Sequence, residues 1–266
     1  PGYVPPFENI MAYTWPRCMT GFTSGQGARM LRMIELTPFL QGCKTDIATR
    51  FQNVSADTEL DYDGTPYSNV ILDYDDDGLK DLFISMRDDF GSLQRQYDLS
   101  QSEVPRFTDR TEVDIATSSK PQIGLRGVAI ADYNNDGRID LFASADSIPR
   151  LYHNNNGSFA DSAAALGLAS LADSSCAGVW GDFDRDRQID LYVCRGAGGG
   201  GDPTSSNLTP VRGRLLRNDL RSVGTFTDCT DSLGSPADAY GASVAASWAD
   251  VDGDGDLDLF VGDLRD

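Results

Sequence analysis

The sequence has little of the nitrogen and sulphur chemistry that many functional sites require. It contains one histidine, His153, and five cysteines, none of them in a CxxC pair. Zinc sites built from His and Cys have almost nothing to use. No HExxH occurs, which excludes a zinc-peptidase centre within this chain. His153 lies in "YHNNNG" with no GxSxG nearby, which argues against a serine hydrolase. Positive charge is scarce as well: 22 basic residues against 41 acidic ones give a formal charge of −19. That balance argues against nucleic acid and against an anionic membrane face, both of which need a basic surface. No apolar run approaches the roughly 18 residues of a membrane span. The opening "PGYVPPFENI" lacks the basic start and apolar core of a signal peptide, so none is expected here.

What the chain has in excess is aspartate in a fixed register. With 266 residues, 40% apolar and 24% charged, the composition is globular. Four segments align without gaps: "DYDDDGLKDLFIS" from Asp73, "DYNNDGRIDLFAS" from Asp132, "DFDRDRQIDLYVC" from Asp182 and "DVDGDGDLDLFVG" from Asp250. The recurrence, about sixty residues, marks a repeated supersecondary unit. An apolar run precedes each box and another follows it, which reads as strand, tight acidic loop, strand. A second element follows the boxes: "LYHNNNGSFADSAAALGL", "LLRNDLRSVGTFTDCTDSLG" and "VPRFTDRTEVDI" share a Phe-x-Asp. Each unit therefore offers about four short strands. The predicted fold is mainly β, a β-propeller of four-stranded blades of which this chain holds about four, with a short N-terminal helical segment.

The boxes have the chemistry of a hard cation site. Calcium takes six to eight oxygens at about 2.3–2.6 Å, and carboxylates at positions 1, 3, 5 and 9 of a tight loop can converge, joined by the carbonyl of position 7. The expected ligands are Asp73, Asp75, Asp77 and Asp81 with Leu79; Asp132, Asn134, Asp136 and Asp140 with Arg138; Asp182, Asp184, Asp186 and Asp190 with Gln188; and Asp250, Asp252, Asp254 and Asp258 with Asp256. Glycine at position 6 permits the backbone reversal. The third box has Arg187 there, so its site is expected to be the weakest or distorted. An EF-hand fails, because position 12 is Ile84, Ala143, Val193 or Val261 rather than Glu. Plain solvated Asp/Gly turns would explain one such loop, but not four in register. The expected cofactor is Ca2+ in about four structural sites, and the scarcity of cytosolic calcium makes the expected address extracellular or cell surface.

The boxes resemble the FG-GAP/VCBS repeats of integrin-α-type β-propellers over about residues 50–266. The resemblance implies calcium in the blade loops and a closed ring of seven or eight blades; four boxes fall short of that. Before them, "ENIMAYTWPRCMTGFTSGQGARMLRMI" resembles the carboxyl end of pappalysin-type, cytophagalysin-like metalloproteases. The matching residues are Asn9, Met11, Tyr13, Cys18, Met19, Phe22, Thr23, Gly25, Gln26, Arg29 and Met30. The family's zinc ligands have no counterpart in the chain. The resemblance implies a disulfide Cys18–Cys43 and domains at 1–48 (metalloprotease-like remnant) and 49–266 (propeller).

Cys176 and Cys194 flank the third box, and their spacing suggests a bridge across the hairpin. Cys229 then stands alone or takes one of them; as a third reading, all three are small buried residues. Sequons at Asn53, Asn156 and Asn207 lean toward secretion, although chance supplies about one or two. The tract "RGAGGGGDPTSSNLTPVRGR" is a linker or a binding loop. The expected function is a non-catalytic, calcium-stabilised extracellular module for adhesion or for protein or glycan interaction within a larger surface or matrix protein. The alternatives are a fragment of a secreted zinc metalloprotease and a subunit of an extracellular filament formed by self-association.

Overall fold

A computed structural model of the chain describes residues 65–87, 90–97, 105–116, 124–171, 175–195, 212–233 and 243–263, together with Thr58 and Leu60. The chain divides between Val54 and Ser55, and every described residue belongs to the second unit. The metalloprotease-like segment, the Cys18–Cys43 pair, Asn53, Asn207 and most of the glycine-rich tract lie outside the described residues.

The described part is mainly β, as expected. Three antiparallel sheets have four strands each: β1 (Pro66–Leu72), β2 (Asp81–Met86), β3 (Ser92–Tyr97) and β4 (Arg106–Asp109); β5 (Leu125–Ala131), β6 (Asp140–Ala145), β7 (Arg150–Asn154) and β8 (Phe159–Asp161); β9 (Ala177–Gly181), β10 (Asp190–Cys194), β11 (Arg214–Asn218) and β12 (Phe226–Asp228). A fourth sheet pairs β13 (Ser243–Ala249) with β14 (Asp258–Asp263). Each sheet is a meander in chain order. The first strands neighbour one another, β1 beside β5, β5 beside β9 and β9 beside β13. The sheets are therefore successive blades of a partial propeller with their first strands toward the axis.

The second strands show why each blade needs its neighbours. Side chains alternate faces along a strand, and the box ending Asp-Leu-Phe/Tyr places one large residue on each face. Leu141 packs with Leu72, Phe83 and Leu93 of the first blade, while the adjacent Phe142 packs with Leu191 and Val193 of the third. Tyr192 and Cys194 in turn face Trp248, Leu259 and Val261 of the fourth. The hydrophobic cores therefore lie between blades, and the second strands of the first three blades are buried on both faces. Phe83, Phe142 and Tyr192 are 0% exposed, whereas Phe260, at the same register in the fourth blade, is 74% exposed. Blades approach closely at Gly181, where a Cβ would meet Trp248 Cδ1 at 2.6 Å.

The Phe-x-Asp element closes each four-stranded blade. Phe159 stacks on Tyr74 of the preceding acidic loop at 5.8 Å between centroids, and Phe226 lies 6.2 Å from Tyr133 in the same way. The aspartate then caps the following turn. Asp109 accepts from the Thr111 amide (2.8 Å), Asp161 from Ala163 (3.0 Å) and Asp228 from Thr230 (2.9 Å). These turns run into the one-turn helix α1 (Thr111–Asp114) and the 3-10 turns Leu168–Leu171 and Thr230–Leu233.

The expected bridge between Cys176 and Cys194 is not formed. Cys194 pairs across the ladder with Ala177, while the Cys176 amide donates to the Cys194 carbonyl at 3.0 Å. The two cysteines are thus one step out of register, and strand alternation sends their side chains to opposite faces. Cys176, Cys194 and Cys229 are all thiols.

Candidate metal centres in the blade loops

Each acidic box is the loop between the first and second strands of its blade, and four hydrogen-bond relations recur in it. The position-6 amide donates to the position-1 carboxylate: Gly78 to Asp73 (3.1 Å), Gly137 to Asp132 (2.8 Å), Arg187 to Asp182 (3.0 Å) and Gly255 to Asp250 (3.1 Å). The position-7 amides of Leu79, Arg138, Gln188 and Asp256 donate to Asp77, Asp136, Asp186 and Asp254 at 2.7–2.9 Å. The position-5 amides of Asp77, Asp136, Asp186 and Asp254 donate to the position-3 side chains of Asp75, Asn134, Asp184 and Asp252. These bonds bend the backbone so that the side chains at positions 1 and 3 turn inward. The fourth relation is made by position 9.

Two positions adopt left-handed backbone, one more than the sequence reading expected. Position 6 has φ of +86° at Gly78, +87° at Gly137, +68° at Arg187 and +91° at Gly255. Position 4 has φ of +57° at Asp76, +59° at Asn135, +62° at Arg185 and +78° at Gly253. The third loop keeps the shape of the others, so its expected distortion does not occur. Arg187 instead carries a left-handed conformation that costs a non-glycine residue about 1–2 kcal/mol.

Carboxylate oxygens converge in three of the loops: Asp73, Asp75 and Asp81; Asp182, Asp184 and Asp190; and Asp250, Asp252 and Asp254 lie with one oxygen of each within 4.8 Å of the others. In the second loop position 3 is Asn134, which leaves Asp132, Asp136 and Asp140 as its acids. The position-5 carboxylates of the first three loops stand partly aside. Asp77 accepts from Arg95 at 3.0 Å, Asp136 from Arg138 at 2.6 Å and Asp186 from Gln188 Nε2 at 2.6 Å.

Position 9 does more than the sequence suggested. Asp81, Asp140 and Asp190 are fully buried. One oxygen of each accepts from the position-2 amide of its own loop: Tyr74 (3.2 Å), Tyr133 (3.2 Å) and Phe183 (3.1 Å). The other oxygen accepts at 2.8 Å from an amide on the third strand: Gln96, Asn154 and Asn218. This carboxylate braces the loop to its sheet. Burial raises these groups, only partly offset by the amide hydrogen bonds: Asp81 to about 6, Asp190 to about 7, and Asp140 in the same direction. Asp258 makes the position-2 bond, to Val251 at 2.9 Å, but is exposed.

The donor set fits a hard cation. Every side chain at positions 1, 3, 5 and 9 offers an oxygen donor, and Asp73 Oδ1 is buried without a hydrogen-bond partner. A buried carboxylate oxygen left unpaired is costly, and a coordinated ion removes that cost. Three residues beside the loops escaped the sequence reading: Arg95, His153 and Arg217 all stand on third strands, one residue before Gln96, Asn154 and Asn218. His153 stands on β7, with Nδ1 3.2 Å from Asp140.

Comparison with curated proteins gave no match. The family of the FG-GAP-like repeat matches residues 73–143 and 132–193. The first match runs from the first acidic loop through the second, and the second runs from the second loop through β10. The part of the chain from Asp73 to Val193 is thus similar to FG-GAP-like repeats.

Proposed function

We propose that the chain is a non-catalytic, calcium-stabilised propeller module of an extracellular protein, one that presents loops to a protein or glycan ligand in adhesion. The observation that carries this reading is the repeated loop geometry: carboxylate oxygens at positions 1 and 3 converge with a third in three of the four loops, at the same blade position, with a buried carboxylate oxygen of Asp73 left for an ion. Asp73, Asp75, Asp77 and Asp81, and their counterparts in the other three boxes, would hold Ca2+. The carbonyls of Leu79, Arg138, Gln188 and Asp256 would complete the shells. The ion's role is structural, because it would neutralise carboxylates at contact distance and fix each loop between its two strands. The FG-GAP-like repeats and the acidic surface support the reading. So does Asn156, a sequon residue exposed in the β7–β8 turn and open to glycosylation.

Thermal melting tests the proposal. A site with a dissociation constant of about 0.1 mM, filled at about 1 mM ion, adds about 1.4 kcal/mol. Calcium should raise the melting temperature of stripped protein, and magnesium should do so much less. An equal response to both ions, or none, would remove the calcium reading. Secretion of the tagged parent protein, with a glycan at Asn156, tests the extracellular address; an unglycosylated cytosolic product would oppose it.

A further inference from the structure

The third strands place one basic side chain beside each of the first three acidic loops, at a single register position. Gln96, Asn154 and Asn218 are equivalent, because the amide of each donates to the position-9 aspartate at 2.8 Å. The residues before them are Arg95, His153 and Arg217. Their partners differ. Arg95 turns into the first loop, with Nη2 donating to Asp77 at 3.0 Å and Nε 2.5 Å from Asp75. Arg217 instead grips Asp219 with two bonds of 3.0 Å and reaches Asp184 of the third loop only through space. The position of Asp219 is taken by Tyr97 in the first blade, which offers Arg95 no carboxylate. In the fourth loop, Arg185 pairs with Asp256, whose side chain is not among the converging oxygens.

We infer that Arg95 is an internal cation that competes with the metal, so that the first loop, not the third, is the weaker of these two calcium sites. The inference rests on the calcium reading above. Two carboxylates counted as ligands, Asp75 and Asp77, already hold a guanidinium, and an entering ion must displace it against like-charge repulsion. A neighbouring arginine lowers a carboxylate's affinity for a proton by about 10- to 1,000-fold. A loop open to solvent takes the low end, about tenfold. In the third loop Asp219 neutralises Arg217, which leaves Asp182, Asp184 and Asp190 open to the ion. Residue 97 or 219 thus decides whether the arginine guards the loop or stands aside.

The test is a calcium titration of the stripped full chain followed by 1H–15N amide shifts. Gly78, Gly137, Arg187 and Gly255 serve as reporters, because each donates to the first carboxylate of its own loop. The Gly78 signal should saturate after that of Arg187, at about tenfold more calcium. Arg95→Met should tighten the first loop by about tenfold and leave the other reporters unchanged. Tyr97→Asp should act in the same direction while keeping the arginine, and Asp219→Asn should weaken the third loop. If all four reporters titrate but Gly78 does not saturate after Arg187, or neither Arg95→Met nor Tyr97→Asp moves it, the role of Arg95 is overturned and the calcium sites stand. If no reporter moves up to about 10 mM calcium, a range beyond even weak extracellular sites, the calcium reading falls and takes this inference with it.

Discussion

Asn218 donates from Nδ2 to the carbonyl of Tyr133 at 2.7 Å, reaching from the third strand of one blade into the acidic loop of the blade before it. The same amide group donates to the Ile189 carbonyl of its own blade at 3.0 Å. Asn154 repeats the contact one blade earlier, to Tyr74 at 2.7 Å and Ile139 at 3.1 Å. Position 2 of the loop is therefore held twice by the following blade, through its carbonyl by an asparagine and through its ring by the Phe-x-Asp phenylalanine. The loops that would hold ions are also the joints between blades.

Removing that clasp should loosen the joint. Asn218→Ala leaves two buried carbonyls without their donor, at a cost of about 1–3 kcal/mol. Asn154→Ala should cost the same. Denaturant unfolding measures both losses, and a change below about 0.5 kcal/mol for both variants would show that the clasp is incidental.

Burial at the register of Phe142 separates two substitutions that look alike in sequence. Phe142→Ala should cost about 3–5 kcal/mol, because the ring fills the core between the second and third blades. Phe260→Ala, at 74% exposure, should cost less than about 1 kcal/mol in this chain. Equal losses in denaturant unfolding would mean that the Phe260 face is covered in solution.

Arg187→Gly should stabilise the protein. The residue has φ of +68°, and glycine relieves about 1–2 kcal/mol of left-handed strain while adding back some unfolded-chain entropy. A net gain of about 0.5–1 kcal/mol is expected, read as a higher melting temperature. A lower one would show that the arginine side chain makes up for its backbone.

The metal-free protein should become more stable as pH falls from about 7 toward 4. Asp81 and Asp190 have folded-state values of about 6 and about 7, above the ordinary carboxylate range. In that window the folded chain binds more protons than the unfolded chain, so unfolding free energy decreases as pH rises. Calcium requires the same groups ionised, so its stabilising increment should shrink over the same fall in pH. Melting of stripped protein at pH 5, 6.5 and 8, with and without calcium, checks both trends. A metal-free melting temperature that rises with pH contradicts the assignment.

The acidic boxes were legible because their chemistry is local: nine consecutive residues fix a turn, its donors and its glycine, and the flanking apolar runs fix two strands. The left-handed backbone at position 4 was hidden because Asp76, Asn135 and Arg185 carry no shared signal there. The roles of Asn154, Asn218 and Arg95 depend on which strand lies beside which loop, a contact between residues far apart in sequence. The repeat "LYHN" and "LLRN" held a clue, since both end in asparagine. The disulfide expectation failed for a related reason. Spacing placed Cys176 and Cys194 near the same hairpin, but the ladder register, invisible in spacing, set them one residue out of step.

The most direct measurement of the central claim is isothermal titration of stripped protein with calcium. The account expects about four ions per chain, with the stoichiometry falling by one when Asp250 and Asp252 are both changed to Asn. Titration that shows no saturable calcium binding, or a stoichiometry unchanged by that double substitution, would contradict it.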